Sequence, residues 1–396
     1  MTVYQVAIIG GGVSGCATAL SLCRNLPEVS CLVIDNANPL MFKIGESLPP
    51  ESGRILQYLD PSLTDSLSRM VSRGEHTVCT GNASAWSSPI LEERHAIMNP
   101  FGHGLHLNRA AFDELLRNSV RDVGSRKRSA SAFTIATFKG VRKGSDGIWN
   151  IEIDVDGEKD LVRAEWVIDA TGRKASVATK VDSRINSRSP LLAFYGIFIS
   201  ESYEEVQGND NDRRTLIEAA IDGWWYSSLI CHNPCTRIVV FHTLPTHPSA
   251  KSSRRSAGFL DQLQASSTHI SDIITKWDYR LQKGYPCCTA AGSSTLDRAY
   301  NSSQRWAAVG DAAMAFDPLS SQGMMTALEM GTYIGLQLAQ RLSKEITDDE
   351  FDRNLGETYA QVQAEYEKNR TYYYSIVKRF SEEMFWKNVV GDTATN

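Results

Sequence analysis

Val6-Ala7-Ile8-Ile9-Gly10-Gly11-Gly12-Val13-Ser14-Gly15-Cys16-Ala17-Thr18-Ala19-Leu20-Ser21-Leu22 is the stretch whose reading decides the fold. Its first four residues form an apolar, β-rich run, its glycines a turn, and its remainder has helical spacing. Gly10 permits the tight turn, Gly12 lets backbone approach a pyrophosphate, and Gly15 lets helix and strand pack closely. Phosphate charge at such a turn faces the helix N–H groups that start at Val13 and Ser14. A second apolar run, Cys31-Leu32-Val33-Ile34, ends in Asp35, at the distance where a carboxylate accepts hydrogen bonds from a ribose. Strand, turn, helix and terminal acid together point to a dinucleotide; a glycine turn that binds nothing is the alternative. The motif alone does not choose between FAD and NAD.

The chain has 396 residues and is 42% hydrophobic, enough for a large core and two or three domains. Its net charge is -5, from 46 acidic and 41 basic side chains, which offers no field for a nucleic acid or an anionic membrane. The Arg126-Lys127-Arg128 cluster sits among Ser and Gly and reads as a solvated loop. No charged-then-apolar leader precedes the first strand, and apolar runs such as Leu191 to Ile199 are strand-sized, so a cytoplasmic protein is expected. The eight cysteines do not form a disulfide pattern. Neither Cys231-His232-Asn233-Pro234-Cys235 nor Cys287-Cys288 has a second pair at zinc-ligand spacing, so no metal is expected.

Farther along, Phe42-Lys43-Ile44-Gly45-Glu46-Ser47-Leu48-Pro49-Pro50 is a polar loop ahead of a helix, able to lie over a cofactor or merely to connect. Asn108 is a candidate N-cap for a helix that carries Phe112, Leu115 and Leu116 on one face. Arg109 in that helix's first turn opposes the helix dipole unless an anion, such as a phosphate, offsets it. Residues 131–167 alternate as a hairpin ladder, and Trp166 to Arg173 is a buried strand ending in a glycine turn at Asp169-Ala170-Thr171-Gly172. Residues 189–285 read as one large sheet, with Gln207 to Arg214 and Ser252 to Ser256 as surface loops. Trp224 and Tyr226 alternate with Trp225, so they share a face and either line a substrate cavity or form sheet core. Gly310-Asp311 follows a short strand, and Asp317-Pro318-Leu319-Ser320-Ser321-Gln322-Gly323-Met324 precedes a long apolar helix whose N-terminus can face a ring or its phosphates. The last fifty or so residues read as a helix pair with an aromatic stripe.

Gly10–Gly15, Asp35, Arg109, Asp169–Arg173 and Gly310-Asp311 together resemble the p-hydroxybenzoate hydroxylase-like FAD superfamily. The resemblance decides for FAD and implies an α/β fold: a Rossmann-like FAD-binding domain, an inserted large β-sheet substrate domain, and C-terminal helices. The expected boundaries are 1–75, 100–188 and 286–345 for the FAD-binding domain, 76–99 and 189–285 for the substrate domain, and 346–396 for the helical segment. It implies FAD contacts at Gly10, Gly12, Val13, Ser14, Gly15, Asp35, Ile44, Gly45, Glu46, Ser47, Arg109, Asp169, Gly172, Gly310, Asp311, Pro318, Gln322, Gly323 and Met324.

Lys43 to Pro50 and Asp317 to Gly323 are similar to the branch that holds flavin-dependent halogenases. Halogenases of the phenol and pyrrole types carry a lysine a few residues before a Trp-Gly pair, and Cys79 stands there in Cys79-Thr80-Gly81-Asn82-Ala83-Ser84-Ala85-Trp86. The Trp-x-Trp-x-Ile-Pro signature is altered as well, to Gly223-Trp224-Trp225-Tyr226-Ser227-Ser228. The chain more closely resembles the non-halogenating maturation flavoproteins that serve lysine-oxidase and glycine-oxidase precursors, through Gly-Trp-Trp-Tyr, Ser-Ser-Gln-Gly and the Asn369 to Trp386 tail. That resemblance implies an FAD-dependent monooxygenase that inserts oxygen from O2 into a tryptophan of a precursor amino-acid oxidase during cysteine tryptophylquinone biogenesis. NAD(P)H or a separate reductase would supply the electrons. Trp224, Tyr226 and Cys79 are the substrate-pocket candidates. The alternatives are a flavin monooxygenase, or less readily a halogenase, of a free small aromatic, and an FAD-stabilised chaperone without oxygenase chemistry.

Overall fold

The computed structural model describes residues 2–37, 42–126, 132–200 and 210–391, without the side chains of residues 125, 126 and 320. The basic cluster at 126–128 and the start of the 207–214 interruption therefore lie outside the described residues.

Strand Val3–Ile9 runs parallel between Glu158–Asp169 and Cys31–Asp35, with Ile9 opposite both Asp169 and Ile34. Parallel strands need helical crossovers and lie buried on both faces, which is why Val6 to Ile9 is continuously apolar and at most 1% exposed. Helix Val13–Asn25 starts at the ends of these strands and is buried from Val13 through Cys23. Helix Gly323–Leu342 lies against it, near enough for Ser21 Oγ to donate to Thr332 O at 2.7 Å. Strands Thr137–Lys143 and Trp149–Val155 extend this sheet as an antiparallel arm on Glu158–Asp169, the ladder expected from the alternation.

The second sheet has the order Arg280–Leu281, Leu192–Ser200, Cys235–Thr243, Gly223–His232, Thr215–Ala220, Gly81–Ala85, Glu92–His95. Its two faces do different work. Trp225, Phe241, Phe194 and Phe198 pack under helices Ser256–Ser266 and His269–Lys276. Trp224, Val240 and Ile217 point the other way, toward the C-terminal helices.

The sequence reading differs from this structure in two places. Residues 189–285 are not all sheet, and Ser252 and Ser256 bound helices instead of standing in one loop. Phe259, Leu263, Ile270 and Ile274 carry the helical period, but the polar run of Gln, Ser, Thr and His between them masks it. The C-terminal pair is one helix of 28 residues, Asp348–Ser375, opened by a Thr347/Glu350 capping box, with only the short Met384–Gly391 beyond it. Among the described residues no helix is long and apolar enough to cross a membrane.

Candidate functional site

A cavity of about 350 Å³ opens where the start of helix Val13–Asn25, the 44–47 loop, the start of helix Gly323–Leu342 and one face of the second sheet converge. Of the expected cofactor contacts, Gly12, Val13, Ser14, Ile44, Gly45, Glu46, Ser47, Arg109, Gly172, Asp311, Pro318, Gly323 and Met324 line it. Trp224 and Tyr226 form its sheet wall.

Arg109 Nη1 donates to Ile44 O at 3.2 Å and to Gly45 O at 2.9 Å, so it holds the 44–47 loop in place. The anion that offsets its charge in this structure is Asp113, one turn on at 3.1 Å; a phosphate was one candidate for that role. Burial alone would raise the Asp113 carboxyl, but Arg109 and then Lys43 pull it below the usual range. Asn108 does cap this helix, with Oδ1 accepting from Ala111 N at 3.3 Å. On the opposite side, Arg173 Nε stands 3.5 Å from Asp311 Oδ2. The Asp311 side chain is 44% accessible because its open surface faces the cavity, while protein encloses it otherwise. That enclosure raises its carboxyl, opposed by Arg173 and Arg109.

Several expected contacts are not brought to the cavity. Asp169 is fully buried, and its carboxylate accepts from Thr171 N, Thr171 Oγ1, Val177 N and Ala178 N at 2.6–2.9 Å. It therefore shapes the turn at Gly172 and has no oxygen to spare for a ligand. Asp35 accepts from Gly11 N and Ala37 N, each at 2.6 Å, and faces Arg117 beyond the cavity wall. Gly10, Gly15 and Gly310 build the turns behind the lining, and Gln322 lies just off it. Cys79 sits behind Thr215, with Sγ 3.9 Å from Thr215 Oγ1.

Sequence reasoning missed the rest of the sheet wall. Thr215, Ile217 and His242 line the cavity beside Trp224 and Tyr226. Trp224 is directly opposite His242 in the ladder, and their rings stack at 3.8 Å and 13°. Trp224 Nε1 donates to Tyr374 Oη at 3.1 Å, which donates to Asp317 Oδ2 at 2.7 Å, so the C-terminal helix fixes the indole. Behind Thr215, His106 Nδ1 lies 3.1 Å from Leu229 O, which can only accept, so Nδ1 carries the proton. Nε2 then accepts from Thr215 Oγ1 at 2.8 Å.

Burial lowers His106 to about pKa 4 from its ordinary 6.5. A base depressed in the fold stabilises it fully above pH 6.5 and loses that contribution as pH falls toward 4, because the unfolded chain binds the proton first. Denaturant unfolding of the chain and of His106→Gln should therefore diverge in slope across this window, by about 1.4 kcal/mol per pH unit. Parallel slopes would contradict a neutral His106.

No family model matches the chain. It is 24% identical to the "Putative FAD-dependent oxidoreductase LodB" of Marinomonas mediterranea, over 98% of this chain and 97% of that one. It is 22% identical to the flavin-dependent halogenase armH4 of Armillaria mellea, over 82% of this chain and 63% of that one. The myxobacterial chondrochloren halogenase CndH superposes with a TM-score of 0.81 at 20% identity, covering 98% of this chain and 86% of that one. The chain is thus similar, over most or nearly all of its length, to FAD-dependent oxidoreductases and flavin-dependent halogenases. The peptidyl tryptophan dihydroxylase QhpG, essential for tryptophylquinone cofactor biogenesis, shares the fold with a TM-score of 0.72 at 17% identity, over 98% of this chain and 79% of that one.

The residues present fit the FAD on which these relatives depend. Helix Val13–Asn25 begins without a side-chain cap or an acidic residue in its first turn, and a Cβ at Gly12 would meet nothing within 4 Å. Uncapped N–H groups that open onto a cavity are an anion site. Gly12, Val13 and Ser14 would hold the phosphates, with Arg109 and Asp311 also lining the cavity. FAD supplies the electron transfer that none of these side chains can perform. Among the described residues no group of three or more His, Cys, Asp and Glu is placed to hold a metal.

Proposed function

We propose that this protein is a monooxygenase that uses reduced FAD and O2 to oxygenate a tryptophan of a precursor oxidase during cysteine tryptophylquinone biogenesis. The observation that carries the reading is the composition of the cavity: a cofactor wall of glycines and helix N–H groups faces an aromatic wall of Trp224, Tyr226 and His242. Such a wall suits an electron-rich indole, held by ring contact while water is excluded. Similarity to LodB over nearly the whole chain supports FAD-dependent oxidoreductase chemistry, and the fold shared with a peptidyl tryptophan dihydroxylase supports the substrate class. Halogenation is disfavoured because no lysine stands among the described residues that line the cavity. The cavity-lining FAD contacts carry the cofactor, and NAD(P)H or a separate reductase supplies the electrons. The partner is the precursor itself.

Producing a candidate precursor oxidase with and without this protein, and comparing the mass of its tryptophan peptide, tests the reading. Added oxygen that requires this protein supports it. An unmodified peptide, with oxygen uptake stimulated by a free phenol or indole instead, would move the substrate to a small molecule.

A further inference from the structure

The polar end of the cavity holds two ionisable groups, Glu46 and the Tyr226 hydroxyl, whose protons have no task in oxygen transfer as described above. Glu46 is 1% exposed; its Oε2 lies 3.2 Å from Tyr226 Oη, and its Oε1 has no hydrogen-bond partner. Both residues line the cavity, Glu46 from the 44–47 loop and Tyr226 from strand Gly223–His232. The groups around Glu46 bring it no cation. Its near neighbours are neutral donors: Ser228 Oγ from the Tyr226 strand and the backbone N–H groups of Gly45 and Glu46 itself. Strand Thr77–Cys79 contributes the Cys79 thiol, and strand Gly104–His106 the neutral His106 that faces Thr215. Arg109, the guanidinium that holds the same loop, is engaged by Ile44 O, Gly45 O and Asp113. Burial outweighs the Glu46 and Gly45 backbone N–H groups and the Ser228 hydroxyl that would favour an ionised Glu46, and a protonated Glu46 needs only its single bond to Tyr226.

We propose that Glu46 and Tyr226 form a proton relay that opens onto the cavity, with Glu46 storing the proton and the Tyr226 hydroxyl delivering it. Protonated at Oε2, Glu46 donates to Tyr226 Oη and frees the phenolic hydrogen to point into the cavity. When oxygen transfer leaves an oxyanion at the reacting centre, the Tyr226 O–H bond breaks as an O–H bond forms on that oxyanion. In the same step the Glu46 Oε2 proton passes to Tyr226 Oη. The charge moves from the oxyanion to Glu46, whose carboxylate then accepts from the Tyr226 hydroxyl, and water restores the proton between turnovers. Burial, and then the Glu46 charge, push the Tyr226 phenol well above its ordinary value, so it passes protons without resting as a phenolate. Burial also raises the Glu46 carboxyl, the direction a proton store needs.

The origin of the oxyanion rests on the proposed function, but the protonation of Glu46 does not, and the two are tested separately. Infrared spectra of the FAD-loaded protein at neutral pH, without partner or substrate, should show a protonated-carboxyl carbonyl band that shifts in D2O and disappears in Glu46→Gln. In Tyr226→Phe the band should persist at higher frequency, having lost its hydrogen bond; this variant carries the test if Glu46→Gln fails to fold. Compared at equal FAD occupancy, Glu46→Gln should lose about a hundredfold in product formation. Absence of the band, or product formation undiminished in Glu46→Gln, would overturn the relay and leave the tryptophan reading standing. A band that behaves as described alongside an unmodified precursor would support the relay and count against the tryptophan reading alone.

Discussion

Gly12→Val is expected to yield a folded protein without FAD, and Gly15→Ala a protein that barely folds, although the two glycines belong to one motif. A Cβ at Gly12 meets no atom within 4 Å, so the larger side chain enters the cavity where the phosphates would lie and disturbs little else. Its cost to the fold is that of a poor N-cap residue, about 1 kcal/mol. At Gly15 the added carbon would stand 1.9 Å from Gly10 O and 3.0 Å from Gly10 C, which is backbone that no rotamer change relieves. Helix and turn must separate, at about 3 kcal/mol or more. The flavin-to-protein ratio from absorbance and the unfolding midpoint check both variants. A fully flavinated Gly12→Val would contradict the placement of the phosphates.

Trp386→Ala should be the most damaging change outside the nucleotide-binding sheet. Trp386 is 1% exposed, its Nε1 donates to Ala220 O at 2.8 Å, and it meets Trp86 edge-on at 5.5 Å. Trp86 in turn abuts Trp224 at 6.0 Å. Removing the indole opens a cavity, leaves a buried carbonyl unpaired and costs about 3–5 kcal/mol. Because Trp86 and Tyr374 together position Trp224, the loss should also slacken the cavity wall. Trp386→Phe, which keeps most of the volume, should lose clearly less. Unfolding midpoints in denaturant decide, and equal losses for Ala and Phe would show that the indole's packing is not what holds the tail.

These two sites also mark where the sequence is readable. The nucleotide turn is local: strand, glycines and helix follow within one short stretch, and the chemistry of each position can be read from its neighbours. The shared face of Trp224 and Tyr226 is equally local, because strand period alone separates them from Trp225. His242 was illegible because its place opposite Trp224 depends on how two strands pair. Thr215 and His106 are drawn together across 109 residues because a separate small sheet packs against the large one. Asp169 misled for a related reason: an acid beside a glycine turn reads as a ligand contact, while its four donors come from a segment that folds back on it. The family resemblance identified a cofactor; only the register could assemble the wall that faces it.

The central claim is tested most directly by a single turnover with isotope-labelled dioxygen. The FAD-loaded protein, fully reduced and free of excess reductant, is mixed with a precursor oxidase and the labelled gas, and the precursor's tryptophan peptide is weighed. Labelled oxygen on that indole, in proportion to the flavin consumed, is the predicted result. Flavin reoxidised with the label found only in hydrogen peroxide or water, and the peptide unchanged, would contradict it.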